Sequence, residues 1–213
     1  AEVRSAARAR VAAMPETERR HWLGILDATG ADADSLTFLA LSLDRDGRPI
    51  AVANSDVATR LFLASRADDA LPADLLRDVQ LFTRPYPVGL LVDNVGPVVA
   101  NDAYAPADVW DRFEKDQYHG PRVVWGREVN LFLLGLTSQL EKTRDPARRA
   151  ILLDALTRVR SAVERSGFQS ELWTYGIRAD GRLGAMRYGT GSDLQLWSAT
   201  DLAVRFALSR RAR

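Results

Sequence analysis

The chain has no cysteine, two histidines and two methionines in 213 residues. Without cysteine it can form no disulfide, offer no thiol nucleophile and bind no metal through sulfur. His21 and His119 cannot by themselves build a multi-histidine zinc site, so no metal or other cofactor is expected. No run approaches the roughly 20 apolar residues that span a bilayer, and no signal peptide is visible. Those two absences suggest a cytoplasmic protein with no membrane partner. Charge of one sign is also lacking. The net charge is +1, so nucleic acid is not an expected partner, although 27 of the 29 basic residues are Arg. What is present is ordinary for a globular domain: 46% hydrophobic and 27% charged residues, too apolar for disorder. The first residue is Ala1 rather than Met, and the chain reads as a portion of something longer.

Periodicity predicts helices over Ala6–Met14 and over Glu16–Ala28, the second with Trp22, Leu23 and Leu26 on one face and a stop at Gly30. Asp44-Arg45-Asp46-Gly47 predicts a hairpin turn between Leu36–Leu43 and Pro49–Ala53. Short helices are expected at Val57–Ala64 and Ala73–Phe82, then an irregular passage from Thr83 to Ala105 whose apolar runs argue against disorder. Pro106 suits the first position of a helix reaching Lys115. Glu128–Lys142 is apolar nearly all round, which predicts a buried helix. Asp145-Pro146 supplies an N-cap and first residue for the next helix, with Leu152, Leu156, Val159 and Val163 as its buried stripe. A second hairpin is expected about Ala179-Asp180-Gly181, joining Leu172–Arg178 to Arg182–Tyr188. Ser192 and Gln195 look like a capping box for the last helix, which runs to about Arg210. Helices in sequential pairs, with long loops in alternate connections, predict a mainly α toroid or solenoid of helical hairpins.

Three segments concentrate chemistry. Tyr118-His119-Gly120-Pro121-Arg122-Val123-Val124-Trp125-Gly126-Arg127-Glu128-Val129-Asn130 leads into the most apolar helix. Tyr118 and Trp125 offer faces for stacking on a sugar ring, while His119, Arg127, Glu128 and Asn130 offer hydrogen bonds to hydroxyls. The bland alternative makes Trp125 core and Arg127–Glu128 first-turn charges favoured by the helix dipole. Gln169-Ser170-Glu171-Leu172-Trp173-Thr174-Tyr175 places a carboxylate beside aromatics and suits a general base, or equally a surface Glu before a strand whose Trp173 is core. Tyr188-Gly189-Thr190-Gly191-Ser192-Asp193 lacks the Gly-Lys-Ser/Thr ending of a phosphate loop. Asn101-Asp102-Ala103-Tyr104 and Asn54-Ser55-Asp56 are accounted for by Asx turns.

In their order, these motifs resemble those of six-hairpin glycosidases of the glycogen-debranching, amylo-α-1,6-glucosidase-like type. Leu43-Asp44-Arg45-Asp46-Gly47-Arg48-Pro49 is followed by Ala53-Asn54-Ser55-Asp56, then Tyr118-His119 through Trp125-Gly126 with Gly135-Leu136 down the helix. Ser170-Glu171-Leu172-Trp173 and Leu194-Gln195-Leu196-Trp197 complete the set. The chain departs from the family's pattern at Gly126 and Ser170, where the family carries proline. The resemblance implies an (α/α)6 toroid of helical hairpins, of which this chain is the later part, with two short β-hairpins in its loops. It also implies hydrolysis of an oligosaccharide or polysaccharide with inversion, by two carboxylates roughly 6.5–9.5 Å apart. Glu171 matches the general base, and Asp102 and Glu128 are the candidates for the proton donor. Tyr118, His119, Trp125, Arg127, Asn130, Trp173, Gln195 and Trp197 are the substrate-binding candidates. The missing N-terminal part of the chain is then a further expected partner, and an apolar face left open on the first helices would promote dimers.

Overall fold

A computed structural model describes residues 2–28, 35–64, 72–116, 118–189, 191–193 and 195–211. The first two helices, α1 (Glu2–Ala12) and α2 (Glu16–Ala28), pack on each other. Helices α3 (Val57–Ala64) and α4 (Ala73–Thr83) follow, then α5 (Ala107–Glu114), α6 (Gly126–Lys142), α7 (Pro146–Ser166) and α8 (Leu196–Arg211). The helices fall close to their expected spans, and Gly30 lies outside the described residues. Pro106 is the N-cap of α5 rather than its first residue. Asp145 caps α7 as expected: its side chain accepts from the Arg148 amide at 2.7 Å, with Pro146 at the first position. Gly167, at φ 75°, ends α7 in the left-handed conformation that glycine adopts without strain.

The expected toroid of sequential helical hairpins is not what the chain forms. Among the described residues eight helices share the fold with three small antiparallel sheets, in two of which strands pair across intervening helices. Strand β5 (Val123–Trp125), just before α6, pairs with β6 (Leu172–Ile177), just after α7, and β6 pairs with β7 (Leu183–Arg187). Strand β1 (Ala53–Asn54) pairs with β4 (Ala100–Asn101), and β2 (Leu91–Val92) with β3 (Gly96–Pro97). Three of these strands, β2, β3 and β4, lie in the passage from Thr83 to Ala105. Its Val92, Val95, Val98 and Val99 are buried, and buried β-branched backbone must find ladder partners or leave amides unpaired. By contrast, the hairpin about Asp44–Gly47 shrinks to a turn closed by one bridge, Leu43 to Pro49. The second expected hairpin forms as read, with Gly181 at φ 77° in its turn.

Helix α6 is the pivot, lying against α3, α7 and α8. Its Phe132 stacks on Phe82 of α4 with centroids 3.9 Å apart. A Cβ built on Gly135 would come within 2.8 Å of the Leu61 side chain and 3.1 Å of the Leu61 carbonyl carbon, so α3 and α6 touch with no space for a methyl group. At the other pole, Trp22, Tyr86 and Tyr175 meet edge to face across α2 and the sheet, and the Trp173 indole donates to the Val95 carbonyl at 2.8 Å. Among the described residues no helix is long and apolar enough to cross a membrane.

The contact at Gly135 gives a signed expectation. Gly135→Ala gains about 1 kcal/mol of helix propensity, but overpacking against Leu61 costs more. Urea denaturation is expected to show a net loss of about 1–3 kcal/mol; a neutral or stabilised variant would mean that the two helices part freely.

Candidate functional site

Helices α3 and α6 run parallel. Leu61 of α3 faces Gly135 of α6, and Asp56, just ahead of α3, lies close enough to Glu128 in the first turn of α6 to disfavour its ionisation. The N-terminal part of α8 joins them, because Asn130 Nδ2 donates to Thr200 Oγ1 at 2.8 Å. Three helix N-termini are therefore gathered at one end of the molecule, with the partial positive charge that helix starts carry. The end of β5 delivers Trp125 there, and the pairing of β5 with β6 brings the start of β6 alongside. Gly126 N donates to Glu171 O at 2.8 Å, and Glu171 N donates to Ser192 O at 2.9 Å, so the Glu171 backbone is held from both sides. The approach is so close that a Cβ on Gly126 would sit 2.4 Å from the Ser170 carbonyl oxygen. The family's proline does not fit the pairing here, since proline has no N–H to donate.

Trp125 is half-buried against the cluster of Val99, Val123 and Leu172, on which Tyr188 also packs. The Arg127 guanidinium lies over its ring at 5.5 Å, and the His119 ring meets it edge-on at 6.0 Å. Arg127 also pairs with Glu128, whose side chain is 2% exposed. Burial, helped by Asp56 and opposed by Arg127, pushes the Glu128 carboxyl up to about 7. Glu128 Oε2, the Trp125 Nε1 and the Ser55 hydroxyl are buried without a hydrogen-bond partner among the described residues. Unsatisfied buried groups are rare enough to call for a reason.

Beside this cluster lies a cavity of ≈390 Å³ whose wall includes Asn54, Asp56, Asp116 and His119. Asp116 fixes the turn that presents the expected pair Tyr118 and His119. Its Oδ1 accepts from both their amides at 2.8 Å, and its Oδ2 lies 3.3 Å from His119 Nδ1. Those backbone hydrogen bonds help to hold the Asp116 carboxyl below its usual range, against its partial burial. Tyr118 itself is 46% exposed.

The structure thus brings Tyr118, His119, Trp125, Arg127 and Glu128 together, with Glu171 anchored through its backbone to Gly126. Other candidates stand elsewhere. Asp102, wholly buried, receives Arg10 Nε at 2.8 Å. It belongs to an ion network in which Arg10 and Arg122 share Glu114 and Arg122 reaches Glu18 of α2 at 2.7 Å. Burial raises the Asp102 carboxyl against the pull of Arg10. Strand register puts Trp173 on the opposite face of the sheet from Trp125, packed in the core. Asn130 faces α8 and a separate cavity of ≈440 Å³ between α6, α7 and α8. Gln195 is exposed just ahead of α8, where its carbonyl accepts from the Ala199 amide at 3.0 Å. Ser192 and Gln195 thus precede a helix that starts at Leu196, later than the capping box implies. The Trp197 side chain lies outside the described residues. The Asx turn at Asn101 is present, its Oδ1 accepting from Ala103 N at 3.0 Å.

Asp56 and Asp116 were not singled out for chemistry by the sequence. The available signals were the position of Asp56 at a helix start and the spacing of Asp116 two and three residues before Tyr118 and His119. Among the described residues no group of three or more His, Asp or Glu is placed to hold a metal ion. Comparison of the chain with protein-family models, with curated proteins and with solved structures gave no match.

The raised Glu128 carboxyl links stability to pH. The folded state binds this proton more tightly than the unfolded chain, so stability is greatest below the ordinary value of 4.5 and declines as pH rises toward about 7. Wild type is expected to lose on the order of 2–3 kcal/mol more between pH 4 and pH 8 than Glu128→Gln. Urea titrations of both proteins at the two pH values measure the difference, and parallel losses would show that Glu128 ionises as an exposed carboxylate does.

Proposed function

We propose that this chain carries a carbohydrate site of glycoside-hydrolase type, in which Glu128 and Glu171 are the carboxylate pair. The observation that carries the proposal is the gathering of Trp125, His119, Glu128 and the Glu171 backbone at one end of the molecule, beside a cavity. A group that protonates a leaving oxygen at neutral pH needs a proton held near pH 7, and the burial of Glu128 supplies that condition. Glu171 activates water from the opposite side of the sugar, in keeping with the resemblance of its motif to the debranching glycosidases. Trp125 provides the stacking face, and Tyr118 and His119 contribute from the cavity side.

Arg127 controls access. It lies over Trp125 and pairs with Glu128, so one swing of its side chain frees the ring face and the carboxyl together. Substrate hydroxyls and ring then replace the contacts that the guanidinium gives up.

The test is turnover of α- and β-glycosides and oligosaccharides by the full-length protein. Glu128→Gln and Glu171→Gln are each expected to lower kcat by roughly 10²- to 10⁴-fold; full activity in either variant removes that residue from the pair. A second reading, a non-catalytic glycan-binding domain, is favoured by the closure of Glu128 beneath Arg127. It predicts no turnover of any glycoside by wild type, together with oligosaccharide binding that Trp125→Ala abolishes.

A further inference from the structure

Resting on the glycosidase reading, we infer that the ≈390 Å³ cavity is the leaving-group subsite and that it selects glycosides bearing an apolar alkyl or aryl aglycone. The cavity has two unlike sides. Asp56 and His119 join it to the catalytic cluster, the first through its effect on Glu128 and the second through its edge contact with Trp125. The other side is largely hydrocarbon, with Ser42 and Arg112 as its polar members. Ile50, Val52, Val109 and Phe113 line it, and they belong to a small hydrophobic cluster separate from the main core. Leu41 stands at the rim with 53% exposure, and Leu39 and Leu43 continue the row outward at 47% and 62% on alternate residues of the same segment.

A second sugar as leaving group would press hydroxyls against these side chains and lose their hydrogen bonds to water. An alkyl chain or aromatic ring instead buries apolar surface on both partners. The volume and the mixture of an apolar wall with polar groups gathered mainly on the side of Asp56 and His119 are those of a small-molecule pocket. Hydrolysis then places the proton from Glu128 on the aglycone oxygen as the glycosidic bond breaks, while the water activated by Glu171 gives its hydroxyl to the sugar and its proton to Glu171. The products are a free sugar and an apolar alcohol or phenol.

The experiment compares kcat/KM for the methyl and octyl glycosides of the sugar turned over in the glycoside panel, below micelle-forming concentrations. Their leaving groups are both simple alkoxides, so the ratio reports aglycone binding. The expected octyl-to-methyl ratio is roughly 30-fold or more, because each buried methylene multiplies affinity by about fourfold. Leu41→Ser combined with Ile50→Thr should lower that ratio at least about tenfold, with urea denaturation confirming that the variant is folded. A ratio near one overturns the aglycone assignment and leaves the glycosidase reading intact. A high ratio that survives the double substitution places aglycone recognition outside this cavity and overturns the proposal. Absence of turnover across the whole panel overturns the glycosidase reading, and this inference with it.

Discussion

The rest of the structure depends on the contact between α3 and α6 at Gly135, where the absence of a side chain lets α3 lie directly on the central helix. Because the two helices run parallel, closing this contact sets the start of α3 beside the N-terminal part of α6. Asp56, just ahead of α3, and Glu128, in the first turn of α6, then influence each other although about 70 residues separate them. Gly126 extends the same economy of side chain to the next layer, allowing the start of β6 to pair tightly with the end of β5. Two positions without a Cβ thus determine what can meet at this end of the molecule.

Local features were legible where local physics decides them. The helix spans, the Asp145–Pro146 start of α7 and the hairpin at Gly181 follow from capping, φ preference and apolar spacing. The Asx turn at Asn101 is equally a matter of nearby groups. The architecture was not legible, and the strands explain why. β5 is three residues long and β2, β3 and β4 are two each, too short to show an alternating pattern. β2 and β3 meet across a short turn, but the partners of β4 and β5 lie two helices away, where no turn can announce the pairing. A toroid of hairpins was the natural extrapolation from paired helices, and long-range strand pairing is what replaced it.

The candidate site was legible in part for the same reason. Tyr118, His119, Trp125, Arg127 and Glu128 are close in sequence and are bound to be close in space. Trp173 belongs to the same hairpin motif as Glu171, but strand register turns it to the core. Asp102 looked like a free carboxylate because its partner Arg10 lies 92 residues away. Asp56 looked like a turn residue because the carboxyl that it influences is on another helix. In each case the deciding neighbour came from tertiary packing, which composition and spacing do not encode.

The gathering of helix starts also sets an electrostatic condition on any chemistry performed there. Three N-termini bring their partial positive charge to one region. An oxocarbenium-like sugar, which carries positive charge, would be disfavoured in such a field. The carboxyl groups of Asp56, Asp116 and Glu128 lie around that region as well. A site so constructed is a balance of opposed fields rather than a simple anionic pocket. The bias of its net field changes as the Glu128 carboxyl gains or loses its proton near neutral pH.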